Sequence, residues 1–141
     1  MLSEKEILSA KILAIDDNVL NLQILKKILS SAGFTKITIS TDPLKAEQLY
    51  QEISPDLFLL DLNMSPLSGF ELMRQLRTEY PDDYLPILVL TAEDEQEALK
   101  ALSAGAKDVL SKPYKNSELL LRCRNIIEVR LLYKQMKKRS Q

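Results

Sequence analysis

The sequence predicts an α/β fold: a doubly wound parallel sheet of five strands in the order 2-1-3-4-5. Three observations predict it. Short apolar runs alternate with helix-period segments five times within 141 residues. The run Asp56-Leu57-Phe58-Leu59-Leu60-Asp61 holds four apolar residues between two acids, as suits a strand covered on both faces. Polar residues gather just after these runs, where open α/β sheets place their ligand sites.

The elements follow in order. Lys11-Ile12-Leu13-Ala14-Ile15 is β-prone and ends in Asp16-Asp17-Asn18. From Val19 the period changes to that of a helix. Leu20, Ile24, Leu25, Ile28 and Leu29 are read as its buried face, and Gly33 as its stop. Lys36-Ile37-Thr38-Ile39-Ser40 is the second strand. Asp42-Pro43 supplies an N-cap acid and a proline at the first helical position, with Leu44, Leu49 and Ile53 expected on the buried side. Pro55 ends that helix, and the central strand follows. Phe70, Met73, Leu76 and Arg77 carry a third helix as far as Tyr80-Pro81.

Pro86 opens the fourth strand, Ile87-Leu88-Val89-Leu90-Thr91. Ala98, Ala101 and Leu102 pattern a fourth helix that ends near Gly105, and Lys107-Asp108-Val109-Leu110-Ser111 is the fifth strand, closed by Lys112-Pro113. Asn116 or Ser117 is expected to cap a long last helix. Strict alternation implies a parallel sheet with helices on both faces, and right-handed crossovers leave few topologies. We read 1–10 as an N-terminal extension, 11–128 as one domain and 129–141 as an extension of the last helix, a linker or a dimer seam. Ile126, Val129, Tyr133 and Met136 are the heptad-like stripe that prompts the seam.

Composition excludes several classes of function. A net charge of −1 gives no basic field for nucleic acid. Lys134, Lys137, Lys138 and Arg139 read as a solvated cationic helix end. One cysteine, Cys123, rules out an internal disulfide and sits among apolar residues as a core thiol. With no histidine and one cysteine the usual zinc sites are absent, as is the usual general base. The first ten residues do not read as a signal peptide, and no apolar run is long enough to cross a bilayer, so a cytoplasmic location is expected.

The strand ends carry the chemistry. Strands 1 and 3 are neighbours in this topology; the first ends in Asp16 and Asp17, the third in Asp61. Thr91 ends the fourth strand and Lys112 follows the fifth. An acid at Asp61 alone could simply cap the next turn. Three carboxylates crowded together repel, so at least one should titrate high unless a cation is present. Oxygen ligands alone favour a hard ion, and Mg²⁺ fits a site that also handles phosphate. Lys112 could hold a phosphoryl oxygen as a point charge and Thr91 could donate to another. A carboxylate under such a cation can accept a phosphoryl group.

These pieces resemble the receiver domain of two-component response regulators, the CheY-like family with its flavodoxin-like sheet. The resemblance rests on Ile15-Asp16-Asp17-Asn18, Leu59-Leu60-Asp61-Leu62-Asn63-Met64, Ser68-Gly69-Phe70-Glu71, Leu90-Thr91-Ala92, Gly105-Ala106 and Ser111-Lys112-Pro113. It implies that Asp61 is the phosphoacceptor and Asp17 a direct Mg²⁺ ligand. Asp16 would support the metal through water, and the Asn63 backbone carbonyl would be a further ligand. Thr91 and Lys112 would contact the phosphoryl group, and a cis Lys112–Pro113 peptide would aim the lysine inward.

The resemblance also implies a histidine kinase or phosphotransfer partner and a switching face made by the fourth helix, fifth strand and fifth helix of the alternation. A homodimer through that face or through the last helix would be in keeping with it. The chain would be a signalling domain, not an enzyme beyond its own phosphoryl transfer and dephosphorylation, with no membrane or nucleic acid bound directly. It departs from the family at Val109, where many receivers carry the aromatic ring that swings inward on activation; Tyr114 is not assigned that role. Asn63 and Glu93 stand where the family tunes phosphate lifetime. Leu121 to Arg130 resembles the end of receivers that precede cyclic-dinucleotide-related output domains, which implies a receiver cut from a larger regulator.

Two other readings use the same residues. Phosphohydrolases of the haloacid-dehalogenase type also combine acids, Thr, Lys and Mg²⁺, but place the nucleophile in Asp-x-Asp after the first strand. Here Asp16 and Asp17 are adjacent, and the best nucleophile follows the third strand. An interaction module that has lost phosphorylation would not need every acid, Thr91 and Lys112.

Overall fold

The computed structural model describes residues 2–92 and 94–140. Its first element precedes the alternation. Helix α1 (Glu4–Leu8) opens with a reciprocal cap: the Ser3 hydroxyl accepts from the Glu6 amide, and the Glu6 carboxylate accepts from the Ser3 amide. Ile7 is buried in the core, and Arg124 pairs with Glu4. The first ten residues therefore include a packed helix.

Strand β1 (Lys11–Ile15) leads to α2 (Val19–Ser31), which Asn18 caps by accepting from the amides of Leu20 and Asn21. Then come β2 (Lys36–Ser40), a 3-10 turn at Pro43–Lys45 and α3 (Ala46–Ile53). Next are β3 (Leu57–Asp61), α4 (Gly69–Glu79), β4 (Ile87–Ala92) and α5 (Glu95–Ala104). Strand β5 (Asp108–Lys112) and the 24-residue α6 (Asn116–Arg139) complete the chain. The strands form one sheet in the order β2-β1-β3-β4-β5, all pairs parallel, as the sequence predicts.

Because successive strand residues point to opposite faces, the sheet divides the core in two. Ile12, Ala14, Leu57, Leu59, Leu88 and Leu90 face α1, α2 and α6. Leu13, Ile15, Phe58, Leu60, Ile87 and Val89 face α3, α4 and α5. Each fully buried Leu or Ile contributes about 1.5–3 kcal/mol through desolvation, and β3 is buried along its whole length. The central strand is thus held rigidly from both sides, which fixes where Asp61 emerges.

Several helix faces differ from expectation. In α2 the buried residues are Leu22, Leu25 and Leu29, while Leu20 and Ile24 are exposed. At roughly 100° per residue, Leu20 and Ile24 lie about 160° around the helix from Leu22. Leu44 is exposed because it falls in the 3-10 turn; Ala46 and Tyr50 carry the buried side of α3, flanked by half-buried Leu49 and Ile53. In α4, Leu72, Met73 and Leu76 are buried, while Phe70 is half-buried and Arg77 exposed. Ala101 fixes α5, and Leu102 is exposed. Helix α6 begins at Asn116, so its N-cap is Lys115, which makes no side-chain cap bond; Glu118 in the first turn meets the helix dipole.

The expected stripe on α6 does not form one exposed seam. Ile126 lies in the core, and the Tyr133 hydroxyl donates to the Asp82 carbonyl. Val129, Leu132 and Met136 are the exposed apolar residues there. Past residue 128 the helix still grips the domain. Arg130 is buried and donates to Asp83 Oδ1 at 3.1 Å and to the Tyr84 carbonyl at 2.8 Å. Lys134 Nζ donates to the buried Asp56 at 3.0 Å. Among the described residues no helix is long and apolar enough to cross a membrane.

Candidate functional site

The parallel register sets the site at one end of the sheet. Ile15 pairs with Leu60, and Asp61 pairs with Leu90, so Asp16, Asp61 and Thr91 leave adjacent strands at the same level. Ser111 pairs with Thr91, which puts Lys112 just beyond on the edge strand. The Lys112–Pro113 peptide is cis, as expected.

Asp61 is nearly buried, at 9% exposure. One carboxylate oxygen, Oδ1, accepts from the Asn63 amide at 3.0 Å. The other, Oδ2, lies 3.4 Å from Lys112 Nζ. Gly69 lets α4 start against this turn: its amide donates to the Leu62 carbonyl at 3.1 Å. A Cβ at Gly69 would sit 2.7 Å from the Asp61 carbonyl oxygen and 2.9 Å from Leu62 Cα, so no larger residue fits without moving the backbone that carries Asp61.

Asp16 is buried, and its two oxygens accept from the Asn18 amide at 2.9 Å and from Asn21 Nδ2 at 3.3 Å. Burial holds its carboxyl above the ordinary range, and the negative charge of Asp61 adds to this; the Asn18 amide, Lys112 and Asn21 pull the other way. One strand-end carboxyl is thus held high, by burial first and by the charge of Asp61 second. Asp17 faces solvent, as does the side chain of Asn63. A cleft of about 100 Å³ opens here, lined by Asp16, Asn21, Leu90, Lys112 and Tyr114 among others. A larger groove of about 610 Å³ between α4 and α5, lined by Phe70, Arg74, Arg77 and Lys100, contains none of the strand-end residues.

The structure thus brings Asp16, Asp61 and Lys112 together and leaves Asp17 at the rim. Among the described residues no three acid, cysteine or histidine side chains are gathered as a ready metal-ligand group. The reason is local: Asp17 is exposed at the rim, so Asp16 and Asp61 have no third acid beside them. Thr91 is fully buried, and its hydroxyl donates to Glu97 Oε2 at 3.1 Å. That contact was not foreseen; its one signal was an acid six residues after the threonine, in the first turn of the following helix. Asn21, which holds Asp16, was also missed. Glu93 lies outside the described residues. Val109 is half-buried and packs into the core beside α5, and Tyr114 packs into the opposite layer.

A family model described as the response regulator receiver domain matches residues 12–124. The chain belongs to the receiver family of two-component response regulators. It is 40% identical over 121 residues to the response regulator MprA of Mycobacterium ulcerans (strain Agy99), covering 85% of this chain and 51% of that protein. The same protein of Mycobacterium tuberculosis (strain ATCC 25177 / H37Ra) is 39% identical over the same shares. The chain spans about half the length of these curated relatives.

Solved receivers agree in fold. The receiver domain of the sensor histidine kinase PA1611 from Pseudomonas aeruginosa PAO1, described with a magnesium ion coordinated in its active site cleft, superposes with a TM-score of 0.76 at 29% identity. That likeness covers 85% of this receiver and 98% of that chain. NtrX from Brucella abortus gives a TM-score of 0.81 at 26% identity, over 92% of this receiver but 29% of that chain. The receiver thus matches nearly the whole of one solved chain and a minor part of a longer one.

Proposed function

We propose that this receiver accepts a phosphoryl group on Asp61 from the phosphohistidine of a partner kinase or phosphotransfer protein. The observation that carries the reading is the setting of Asp61: a nearly buried carboxylate at the end of the central strand, facing Lys112, with Asp16 alongside. An Asp61 oxygen attacks phosphorus, the P–N bond breaks, and the histidine leaves as the neutral imidazole after taking up a proton. Lys112 stays beside the acceptor and meets the negative charge on the transferred group.

The donor set supports Mg²⁺. It is all oxygen, and Asp16 and Asp61 are two buried carboxylates at neighbouring strand ends whose mutual repulsion a divalent cation would relieve. Asp16, Asp17, Asp61 and the Asn63 carbonyl would hold the ion. When bound it would neutralise charge on the phosphoryl oxygens. Asp17 must turn inward from the rim to take part.

The phosphoryl group adds about −1.5 to −2 charges. Lys112 and Thr91 follow that charge and bias two states of the face formed by α5, β5 and α6. With Val109 in place of an aromatic residue, the switch runs through β5 and its flanking loops. Leu99 and Leu102 on α5 and Val129, Leu132 and Met136 on α6 are exposed there and suit a second copy or an output segment. The longer relatives support a downstream output domain. The test is labelling by a small phosphodonor: Asp61→Asn should abolish an acid-stable, base-labile label, and a label that persists would move the acceptor elsewhere.

A further inference from the structure

Thr91 is the penultimate residue of β4 and has a single hydroxyl proton to give. That proton is committed to Glu97 Oε2 at 3.1 Å. Glu97 is itself held in place: its amide donates to Asp94 Oδ1 at 3.3 Å, in the cap of α5. Among the described residues no Lys or Arg lies within ion-pair distance of Glu97, so Thr91 is its side-chain partner.

We infer that Glu97 is a positioning residue that latches the Thr91 hydroxyl and sets how readily Thr91 serves a phosphoryl group on Asp61. The inference rests on the phosphoacceptor reading above. The register places Thr91 one residue beyond Leu90, the partner of Asp61 on the neighbouring strand. A phosphoryl oxygen on Asp61 and the Glu97 carboxylate are then two anionic acceptors competing for one proton. The bond to Glu97 is charge-assisted, and such bonds are about twice as strong as neutral ones. Breaking it is a fixed cost of moving Thr91 inward. Weakening the Glu97 acceptor lowers that cost without touching the acceptor carboxylate or Lys112. Because Glu97 lies in the first turn of α5, releasing it also frees that turn from the end of β4. The latch therefore couples the site to the helix of the switching face.

The test is the affinity for beryllofluoride, a phosphoryl mimic, in the presence of Mg²⁺. Six chains are compared: the unaltered chain, Thr91→Ala and Thr91→Ser, each with and without Glu97→Gln. Glu97→Gln keeps the shape of the side chain and makes the bond neutral, so binding should tighten about tenfold, the difference between a charge-assisted and a neutral hydrogen bond. In the Thr91→Ala background the same change should give no gain, whereas in Thr91→Ser, which restores a hydroxyl, the gain should return. Unchanged affinity in Glu97→Gln would overturn the latch. So would an equal gain without the Thr91 hydroxyl, since that is relief of charge through space alone. If the unaltered chain shows neither Mg²⁺-dependent beryllofluoride binding nor a phosphoryl adduct, the phosphoacceptor reading itself fails, and the latch with it.

Discussion

Lys112 Nζ and Asp61 Oδ2 lie 3.4 Å apart, although β4 separates their strands in the sheet. The lysine reaches across a strand end to a carboxylate that, among the described residues, is otherwise held only by the Asn63 amide. On our reading it senses the phosphoryl group and takes no part in holding the metal. Lys112→Ala should therefore keep Mg²⁺ binding, measured by titration calorimetry. It should abolish the phosphorylation-dependent change in hydrogen exchange across α5, β5 and α6. Loss of metal binding would contradict the role given to Lys112.

Gly69 makes a different claim on Asp61. Its missing side chain leaves room for the Asp61 carbonyl, which a Cβ would approach to 2.7 Å. Gly69→Ala must push this backbone aside, at a cost of about 1–3 kcal/mol. Urea unfolding should show that loss, together with slower phosphorylation. Wild-type stability and rate in the variant would mean that the close approach is not needed.

Helix α1 is part of the core. Ile7 is buried beside α6, whereas Leu20 on α2 is 61% exposed. Ile7→Ala should cost about 2–5 kcal/mol, and Leu20→Ala less than about 0.5 kcal/mol. Equal effects on the urea midpoint would show that α1 does not bear on the fold.

Cys123 gives a pH dependence. Burial pushes its thiol up to about 12. An unfolded thiol ionises near pH 8.5, so above that pH the unfolded chain binds fewer protons than the folded one. Stability contributed here is full below about pH 8.5 and falls as pH rises toward 12. Tyr50, also raised by burial, acts in the same direction. The urea midpoint should drop between pH 8 and pH 10, and alkylation of Cys123 at pH 8 should require unfolding. A rising midpoint would contradict the assignment.

The sheet was legible because its strands are continuous apolar runs whose burial on both faces leaves one consistent reading. The strand-end acids, Thr91 and Lys112 were legible for the same reason, since topology orders them. The helix faces were less so. In α2, Leu20 and Ile24 compete with Leu22 for the core, and only the packing of α2 on β1 and β2 decides. The cap of α1 was present in the text as Ser3-Glu4-Lys5-Glu6, an S-x-x-E signature, yet it precedes five residues and has no helical period to announce it. Nothing in the sequence marks Arg130 as buried, and Lys134 reads as part of a solvated end. Their partners, Asp83 and Asp56, are 47 and 78 residues away, and no local pattern joins them. The Thr91–Glu97 bond needs side-chain placement that spacing alone does not supply.

The central claim is that Asp61 accepts a phosphoryl group with the help of a divalent cation. The most direct measurement is intact-protein mass after incubation with acetyl phosphate, with and without Mg²⁺, on the unaltered chain and on Asp61→Asn. One phosphoryl adduct that requires Mg²⁺ and disappears in the variant is the predicted result. No adduct on a chain shown by circular dichroism to be folded, or an adduct that survives Asp61→Asn, would contradict it.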